Sequence, residues 1–181
     1  MDTFISMLRG INVSGQKRML MGELKGLYES LGPVNVRTYV QSGNVVFDSP
    51  EENPVKLAES IEAGIERAFG FSVAVFLRDA RDFERVIASN PFLKRNTDPA
   101  KLHVTFLYSA PPESALRVLA VSENSSDEFL VGDNEIFLFC PNGYGQTKLS
   151  NNFFERKLKV AATTRNWNTV NVLHKLALGE A

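Results

Sequence analysis

Hydrophobic positions in the first 78 residues follow two patterns, one with helical spacing and one of short apolar runs. Leu20, Leu24 and Leu27 recur at intervals of four and three, which is the spacing of an amphipathic helix. Short apolar runs bounded by glycine, proline or asparagine predict strands. The predicted elements are strands at 3–8, 34–40, 44–48 and 72–78 and helices at 19–31 and 54–69. Their order, βαββαβ, is that of the ferredoxin-like unit.

The second part of the chain repeats the beginning of this order but lacks a clear final strand. Its predicted elements are a short helix at 80–88, a strand at 102–108, a helix at 112–121, a hairpin at 127–139, a helix at 152–159 and a last helix from about Trp167 to Leu178. We therefore predict an α+β fold. A ferredoxin-like subdomain at 1–78 is followed at 79–181 by a degenerate βαββα unit that ends in two C-terminal helices. No linker separates the two parts, so we expect them to pack as one body.

Both faces of the first predicted strand carry apolar side chains. Phe4 and Leu8 lie on one face, and Ile5 and Met7 lie on the other, because successive side chains of a strand alternate between its faces. An antiparallel sheet of an α+β protein has its helices on one face. We therefore expect the second face to be covered by the other half of the chain or by another subunit of a homo-oligomer.

Polar side chains gather at one end of this predicted sheet. In the strand order 4-1-3-2, the end of the first strand, the turn at 41–44 and the start of the helix at 19–31 lie at the same end. We call the convergent side chains the first-sheet cluster: Arg9, Asn12, Ser14, Lys17, Arg18, Arg37, Tyr39, Gln41, Ser42 and Asn44. The cluster contains four cations and no acid. Cations beside a helix start suit a phosphate or a carboxylate group.

Each of these residues also has an ordinary structural explanation. Asn12 and Ser14 are residue types that form loops and cap helices, and Gly43 is suited to a turn. Arginines such as Arg9 and Arg37 are commonly solvated. The sequence therefore supports two interpretations of the cluster, an anion site and a well hydrogen-bonded corner.

Two polar segments late in the chain add further candidates. GYGQTKLS (143–150) is a glycine-rich loop before a predicted helix, but its lysine follows a threonine, so it does not match the phosphate-binding G-x-x-x-x-G-K-[ST] pattern. TTRNWNTV (163–170) starts the last predicted helix, and an asparagine cap with a packed tryptophan is its ordinary explanation. From these segments we add Lys148, Arg165, Asn166 and Trp167 to the candidate ligand-binding residues.

The charge balance and the single cysteine narrow the function classes. The 181 residues carry 20 Lys and Arg and 21 Asp and Glu, a formal charge of −1, which argues against broad nucleic-acid binding. Cys140 alone cannot build a disulfide framework, which favours a reducing compartment. The N-terminus lacks the features of a signal peptide, and no apolar stretch approaches the roughly 20 residues of a membrane span. We expect a cytoplasmic protein without a membrane partner.

Residue types that usually carry catalysis or bind metals do not group together in the sequence. Cys140 ends an apolar strand and is expected in the core. His103 and His174 are far apart and have no partner at metal-ligand spacing. No nucleophile elbow of the G-x-S-x-G type occurs. We therefore predict no catalytic residue, no metal site and no cofactor, and the sequence leaves open whether the chain is an enzyme.

The chain contains four segments in a fixed order, LRGINVSGQKRMLMGELKGLYESLG, RTYVQSGNVVFDS, GYGQTKLSNNFFERKLK and ATTRNWNTVNVL. Together they resemble the bacterial family known as domain of unknown function 1697 (DUF1697). The resemblance implies a compact α+β protein built on ferredoxin-like units in the bacterial cytoplasm. It implies no activity and no catalytic residue.

Four functions are compatible with these observations. The first is binding of a small anionic ligand, such as a nucleotide or another phosphorylated metabolite, at the first-sheet cluster. The second is a single-stranded nucleic-acid-binding module. We rank it lower because Asn44 and Val46 occupy the strand positions where RNA-recognition modules carry stacking aromatic residues. The others are an enzyme acting on a phosphate-bearing substrate and a structural or protein-interaction role.

Overall fold

The fold is mixed α+β with two four-stranded antiparallel sheets. It is seen in a computed structural model that describes residues 1–120 and 125–180. The elements are β1 (Asp2–Leu8), α1 (Met21–Ser30), β2 (Val34–Tyr39), β3 (Asn44–Ser49), α2 (Pro54–Phe69), β4 (Val75–Asp79), α3 (Ala80–Ser89), β5 (Leu102–Leu107), α4 (Glu113–Arg117), β6 (Glu128–Val131), β7 (Glu135–Phe139), α5 (Asn151–Leu158), β8 (Ala162–Asn166) and α6 (Trp167–Ala177). Short 3₁₀ turns lie at Pro91–Arg95, Pro99–Lys101 and Tyr144–Gln146.

The chain divides into two compact units. The first consists of Met1–Glu84 and the chain from Val172 onward, and the second consists of Arg85–Asn171. The first unit contains the sheet of β1–β4, and the second contains the sheet of β5–β8. The boundaries expected from the sequence, 1–78 and 79–181, and the packing of the two parts as one body stay predictions.

The first sheet has the strand order β2-β3-β1-β4, and all neighbouring strands are antiparallel. This is the order 4-1-3-2 that the sequence predicts. The register of β1 with β3 sets Met7 opposite Asn44, and the N–H of Leu8 donates to the carbonyl of Gly43 at 2.8 Å. The end of β1 and the β2–β3 turn therefore lie side by side, as expected.

Helices α1 and α2 pack on one face of this sheet. Leu24 and Tyr28 of α1 and Ile61 and Ile65 of α2 are completely buried in one apolar core with residues of the strands. Each such aliphatic side chain contributes about 1.5–3 kcal/mol by leaving water. The Tyr28 hydroxyl is hydrogen-bonded to Oγ of Ser6 at 2.7 Å, so its burial leaves no polar atom unpaired.

Helix α2 begins and ends at the residues that the sequence predicts. The Asn53 side chain accepts hydrogen bonds from the N–H groups of Val55 and Lys56 at 3.0 and 3.2 Å. Pro54 is the first helical residue, where its missing N–H costs no hydrogen bond. Gly70 ends the helix with a φ of +77°, a conformation that glycine adopts without strain.

The second face of the first sheet is also buried. Ile5 and Met7 of β1 and Val46 of β3 have no exposed surface, and Phe76 of β4 is 1% exposed. This face is therefore buried as the other one is, and what covers it stays a prediction.

The second sheet has the order β6-β7-β5-β8, which includes a strand that the sequence-based prediction missed. The sequence predicts no strand before the last helix, but Ala162–Asn166 forms β8 and pairs with β5. Thr163 lies opposite Phe106, and Arg165 lies opposite Val104. The strand is polar, so its alternation does not show as a pattern of apolar residues. The second unit therefore has the complete order βαββαβ.

The core of the second unit lies between its sheet and helices α4 and α5. Ile136, Leu138, Phe154 and Leu158 are fully buried there, and Cys140 is buried with them as predicted. Helix α4 is shorter than predicted and ends at Arg117, and part of the predicted helix at 112–121 lies outside the described residues.

Candidate functional site

Asn12 connects the loop between β1 and α1 to the β2–β3 turn. Its Nδ2 donates to the carbonyls of Met19 and Gln41, both at 2.9 Å, and its Oδ1 accepts from the N–H of Met19 at 2.8 Å. Its backbone N–H donates to the carbonyl of Lys17 at 3.1 Å. Both N–H donors of the amide are used inside the protein. Asn12 therefore positions the loop.

The backbone of this loop passes repeatedly through the left-handed region. Gly10, Asn12 and Ser14 have φ values of +69°, +55° and +51°, and the residues between them do not share this conformation. Gly15 and Lys17 follow with φ values of +75° and +45°. Within the loop, the N–H groups of Asn12 and Gln16 donate to the carbonyls of Lys17 and Val13 at 3.1 and 2.9 Å. The loop is therefore a compact turn held by its own backbone bonds.

The β2–β3 turn is packed tightly against the loop. A Cβ atom added at Gly43 would lie 2.6 Å from Cδ1 of Ile11, and the φ of Gly43 is +80°. Asn44 is fully buried, and its Nδ2 donates to the carbonyl of Tyr39 at 3.0 Å and to Oγ of Ser42 at 3.1 Å. The turn is therefore held in one conformation by both packing and hydrogen bonds.

Three cations of the first-sheet cluster surround this loop. Lys17 Nζ donates to the carbonyl of Ser72 at 2.7 Å. An ammonium group carries three N–H donors, so this single bond does not exhaust it. Arg18 is exposed and Arg9 is half-buried, while the neighbouring Gln41 is exposed on the turn. The loop therefore combines a rigid backbone with solvent-accessible positive charge.

Arg37 and Tyr39 lie on the opposite side of β2 from the helices. Val36 packs in the core with α1 and α2. Side chains of a strand alternate between its faces, so Arg37 and Tyr39 face away from that core. Arg37 Nη1 donates to the carbonyl of Leu176 at 2.7 Å. Arg37 thus belongs to a different environment from the loop at 9–18, although the sequence groups them together.

The TTRNW segment is divided between a strand and a helix. Asn166 Oδ1 accepts from the N–H of Thr169 at 2.8 Å and so caps α6, which confirms the ordinary explanation. Trp167 is 7% exposed and packs as a buried residue. Arg165 is also buried, and its Nη1 donates to Oγ1 of Thr163 at 2.8 Å. These residues and Lys148 belong to the second unit.

His103 is a residue with unusual surroundings that sequence reasoning did not select. Its ring stacks on Tyr144 with the centroids 4.8 Å apart and the planes at 24°. The imidazole is 8% exposed, and its Nδ1 has no hydrogen-bond partner among the described residues. Burial lowers the pKa of His103. The sequence does not show that His103 and Tyr144 meet, because they lie 41 positions apart along the chain. The glycine-rich loop around Tyr144 is the one feature of the sequence that draws attention to this place.

Comparison with known families gives a match over residues 1–137 to the model described as a protein of unknown function, DUF1697. This match covers most of the chain. The chain belongs to the DUF1697 family. The match contains all of the first-sheet cluster, and it ends before Lys148 and the TTRNW segment.

The DUF1697 chain is also similar in fold to a conserved bacterial protein from Streptococcus pneumoniae. The two share 22% sequence identity with a TM-score of 0.71, over 97% of this chain and 98% of that one. At this identity the likeness extends to the fold alone. Comparison with curated proteins gives no significant match.

The arrangement of the DUF1697 chain offers no metal centre in the part that the structure describes. Within residues 1–120 and 125–180, no three His, Cys, Asp or Glu side chains come together as metal ligands. Burial raises the pKa of the Cys140 thiol, which makes it a poor nucleophile at neutral pH. The helices of the same residues include none with the length and apolarity to cross a membrane.

Proposed function

We propose that this DUF1697 protein binds a small anionic ligand, a nucleotide or another phosphorylated metabolite, at the first-sheet cluster. The observation that carries the proposal is the loop at 10–17, which passes repeatedly through the left-handed region and is held by the hydrogen bonds of the Asn12 side chain. A preformed loop of this kind has little conformational entropy to lose when a ligand binds.

The charges around the loop support an anion. Arg9, Lys17 and Arg18 lie within ten residues, and neither the loop nor the β2–β3 turn contains an acid. Hydrogen bonds from cations to phosphate oxygens are about twice as strong as those between neutral groups. Asn12, Asn44 and Gly43 then serve as the frame, and the cations serve as the ligand contacts.

The first sheet is poorly suited to stacking nucleic-acid bases. Asn44 and Val46, which occupy the positions of stacking rings in RNA-recognition modules, are both completely buried. A base could not reach them without opening the unit. The burial therefore supports a small ligand over a single-stranded nucleic acid.

Calorimetric titration with pyrophosphate and with ATP at low ionic strength tests the proposal. We expect Arg9→Ala and Arg18→Ala each to weaken binding about tenfold, since a charge-assisted hydrogen bond contributes about 1.5–3 kcal/mol. Lys25→Ala is the matched control, because Lys25 is an exposed cation on α1 whose partner is Glu29. It should bind as the unmodified protein does.

Two results would contradict the proposal. One is the absence of any heat of binding with either anion at millimolar concentration. The other is an equal loss in Lys25→Ala and in Arg18→Ala, which would mean that only the general surface charge attracts the anion. A thermal melt of each variant separates lost binding from lost folding.

We also propose that each unit has the ferredoxin-like arrangement and that the protein acts in the cytoplasm. The first is supported by the strand orders β2-β3-β1-β4 and β6-β7-β5-β8, both antiparallel throughout. The second is supported by a single, buried cysteine. Association into a homo-oligomer stays a prediction, and size-exclusion chromatography with light scattering tests it.

A further inference from the structure

The second unit contains a cavity of about 420 Å³ beside the start of α5. Two cations, Lys148 and Arg156, line it, and none of the described residues in its lining is acidic. Its volume falls within the range of about 300–1,000 Å³ that is usual for small-molecule sites. The cavity does not depend on the first-sheet cluster, which belongs to the other unit.

The segment that supplies most of the cavity lining carries an excess of positive charge although the whole chain is nearly neutral. Residues 148–159 contain four cations and one acid, a local excess of three positive charges, against −1 for the whole protein. The guanidinium group of Arg156 can bind two oxygens of one phosphate at once, and the ammonium of Lys148 adds a point charge. This combination favours a phosphate group.

The start of α5 adds to the positive charge at the cavity. Ser150 Oγ accepts from the N–H of Phe153 at 3.2 Å, and the Ser150 carbonyl accepts from the N–H of Phe154 at 3.2 Å. These bonds fix the first turn of the helix, whose partial positive charge favours a bound anion. Ser150 itself lines the cavity, so the helix start is part of its wall.

An apolar wall lies beside these polar groups. Phe153 and Leu149 both line the cavity. The ring of Phe153 is held edge-on against Phe154, with the centroids 5.2 Å apart and the planes at 76°. Leu149 is 2% exposed and part of the core. A fixed aromatic ring next to two cations suits a ligand that has a flat apolar part as well as a charge.

We propose that this cavity binds a monophosphate ester of a flat, apolar ring. Arg156 and Lys148 hold the phosphate, and Phe153 packs against the ring. No bond is made or broken in the ligand. The site is distinct from the first-sheet cluster, and either one can exist without the other.

Calorimetric titration of the full chain with phenyl phosphate tests this site. Inorganic phosphate and phenol, which each represent one part of that ligand, are titrated separately. We expect phenyl phosphate to bind at least tenfold more tightly than either half. Arg156→Ala should weaken phenyl phosphate binding about tenfold or more. Lys157→Ala is the matched control, because Lys157 is an exposed cation on the same helix that does not line the cavity. It should leave the affinity unchanged.

Phe153→Leu separates the two parts of the site. It should weaken phenyl phosphate binding several-fold and leave inorganic phosphate binding unchanged, since the ring contacts only the apolar part. The proposal is wrong if phenyl phosphate does not bind at millimolar concentration, or if Lys157→Ala loses as much affinity as Arg156→Ala. Unchanged thermal melts establish that each variant is folded.

Discussion

The imidazole of His103 lies against the ring of Tyr144 with little exposed surface and with Nδ1 unpaired among the described residues. Burial removes the charged imidazolium from water, and a hydrogen bond with the backbone of Lys101 offsets only part of this cost. The neutral form is therefore favoured in the fold, which is why burial lowers the pKa of His103. Stability and pH are linked through this one side chain.

The folded protein should lose stability as the pH falls below about 6.5, the ordinary pKa of histidine. Below that pH the unfolded chain binds a proton that the folded chain resists, so the loss continues until the pH passes the lowered pKa. Urea unfolding between pH 7.5 and pH 5 measures it. His103→Phe should flatten this dependence while keeping the stack, and His174→Gln should not. Parallel curves for the unmodified protein and His103→Phe would contradict the assignment.

At the scale of an element, the loop between β1 and α1 is ordered by side-chain bonds instead of by a backbone ladder. Two hydrogen bonds of the Asn12 amide join it to Met19 at the other end of the loop, and a third joins it to Gln41 of the β2–β3 turn. Asn12 also has a φ of +55°, a conformation that costs a residue with a Cβ atom about 1 kcal/mol. The hydrogen bonds outweigh this cost.

Asn12→Gly should lower the free energy of unfolding by about 2 kcal/mol, because the hydrogen bonds are lost but the φ value suits glycine. Asn12→Ala should lower it by about 3 kcal/mol, since strain is added. Asn35→Gly is the control at a similar φ of +53°, where the side chain makes one exposed bond to Asp48. Its loss should stay below about 1 kcal/mol. Equal losses of unfolding free energy for Asn12→Gly and Asn35→Gly would contradict the stabilising role of the Asn12 hydrogen bonds.

Elements with local signals were predictable, and those set by distant partners were not. Asn53, Pro54 and Gly70 mark the ends of α2 in the sequence because their chemistry acts within a few residues. Strand β8 escaped prediction because Thr163 and Arg165 are polar, and only pairing with β5 makes them a strand. The same holds for the candidate sites. The sequence placed Asn12 beside Gln41 from strand order alone, but it could not show that Arg37 bonds to Leu176.

At the scale of the whole molecule, the first unit is assembled from the two ends of the chain. The residues from Val172 onward supply Leu173, which is fully buried, and the Leu176 carbonyl that accepts from Arg37 at 2.7 Å. The bond between Arg37 and Leu176 cannot form from residues 1–84 alone.

A chain truncated after Asn171 should lose at least about 3 kcal/mol of unfolding free energy, because removing a buried leucine alone costs about 2–5 kcal/mol. Hydrogen exchange at the amides of β1 and β3 should show faster opening. Truncation after Gly179 is the control, since it removes only Glu180 and Ala181 and leaves α6 whole. Unchanged exchange in the shorter chain would show that the first unit is complete without its last segment.

This discontinuous unit sets an order of events during synthesis. The strands β1 to β4 leave the ribosome early, but the segment that completes their unit is made only after Arg85–Asn171. At about 5–20 residues per second, those 87 residues impose a delay of roughly 4–17 s. The second unit is one continuous segment of the chain, so its folding does not depend on a later segment. The part of the protein that is translated first is therefore the part that finishes folding last.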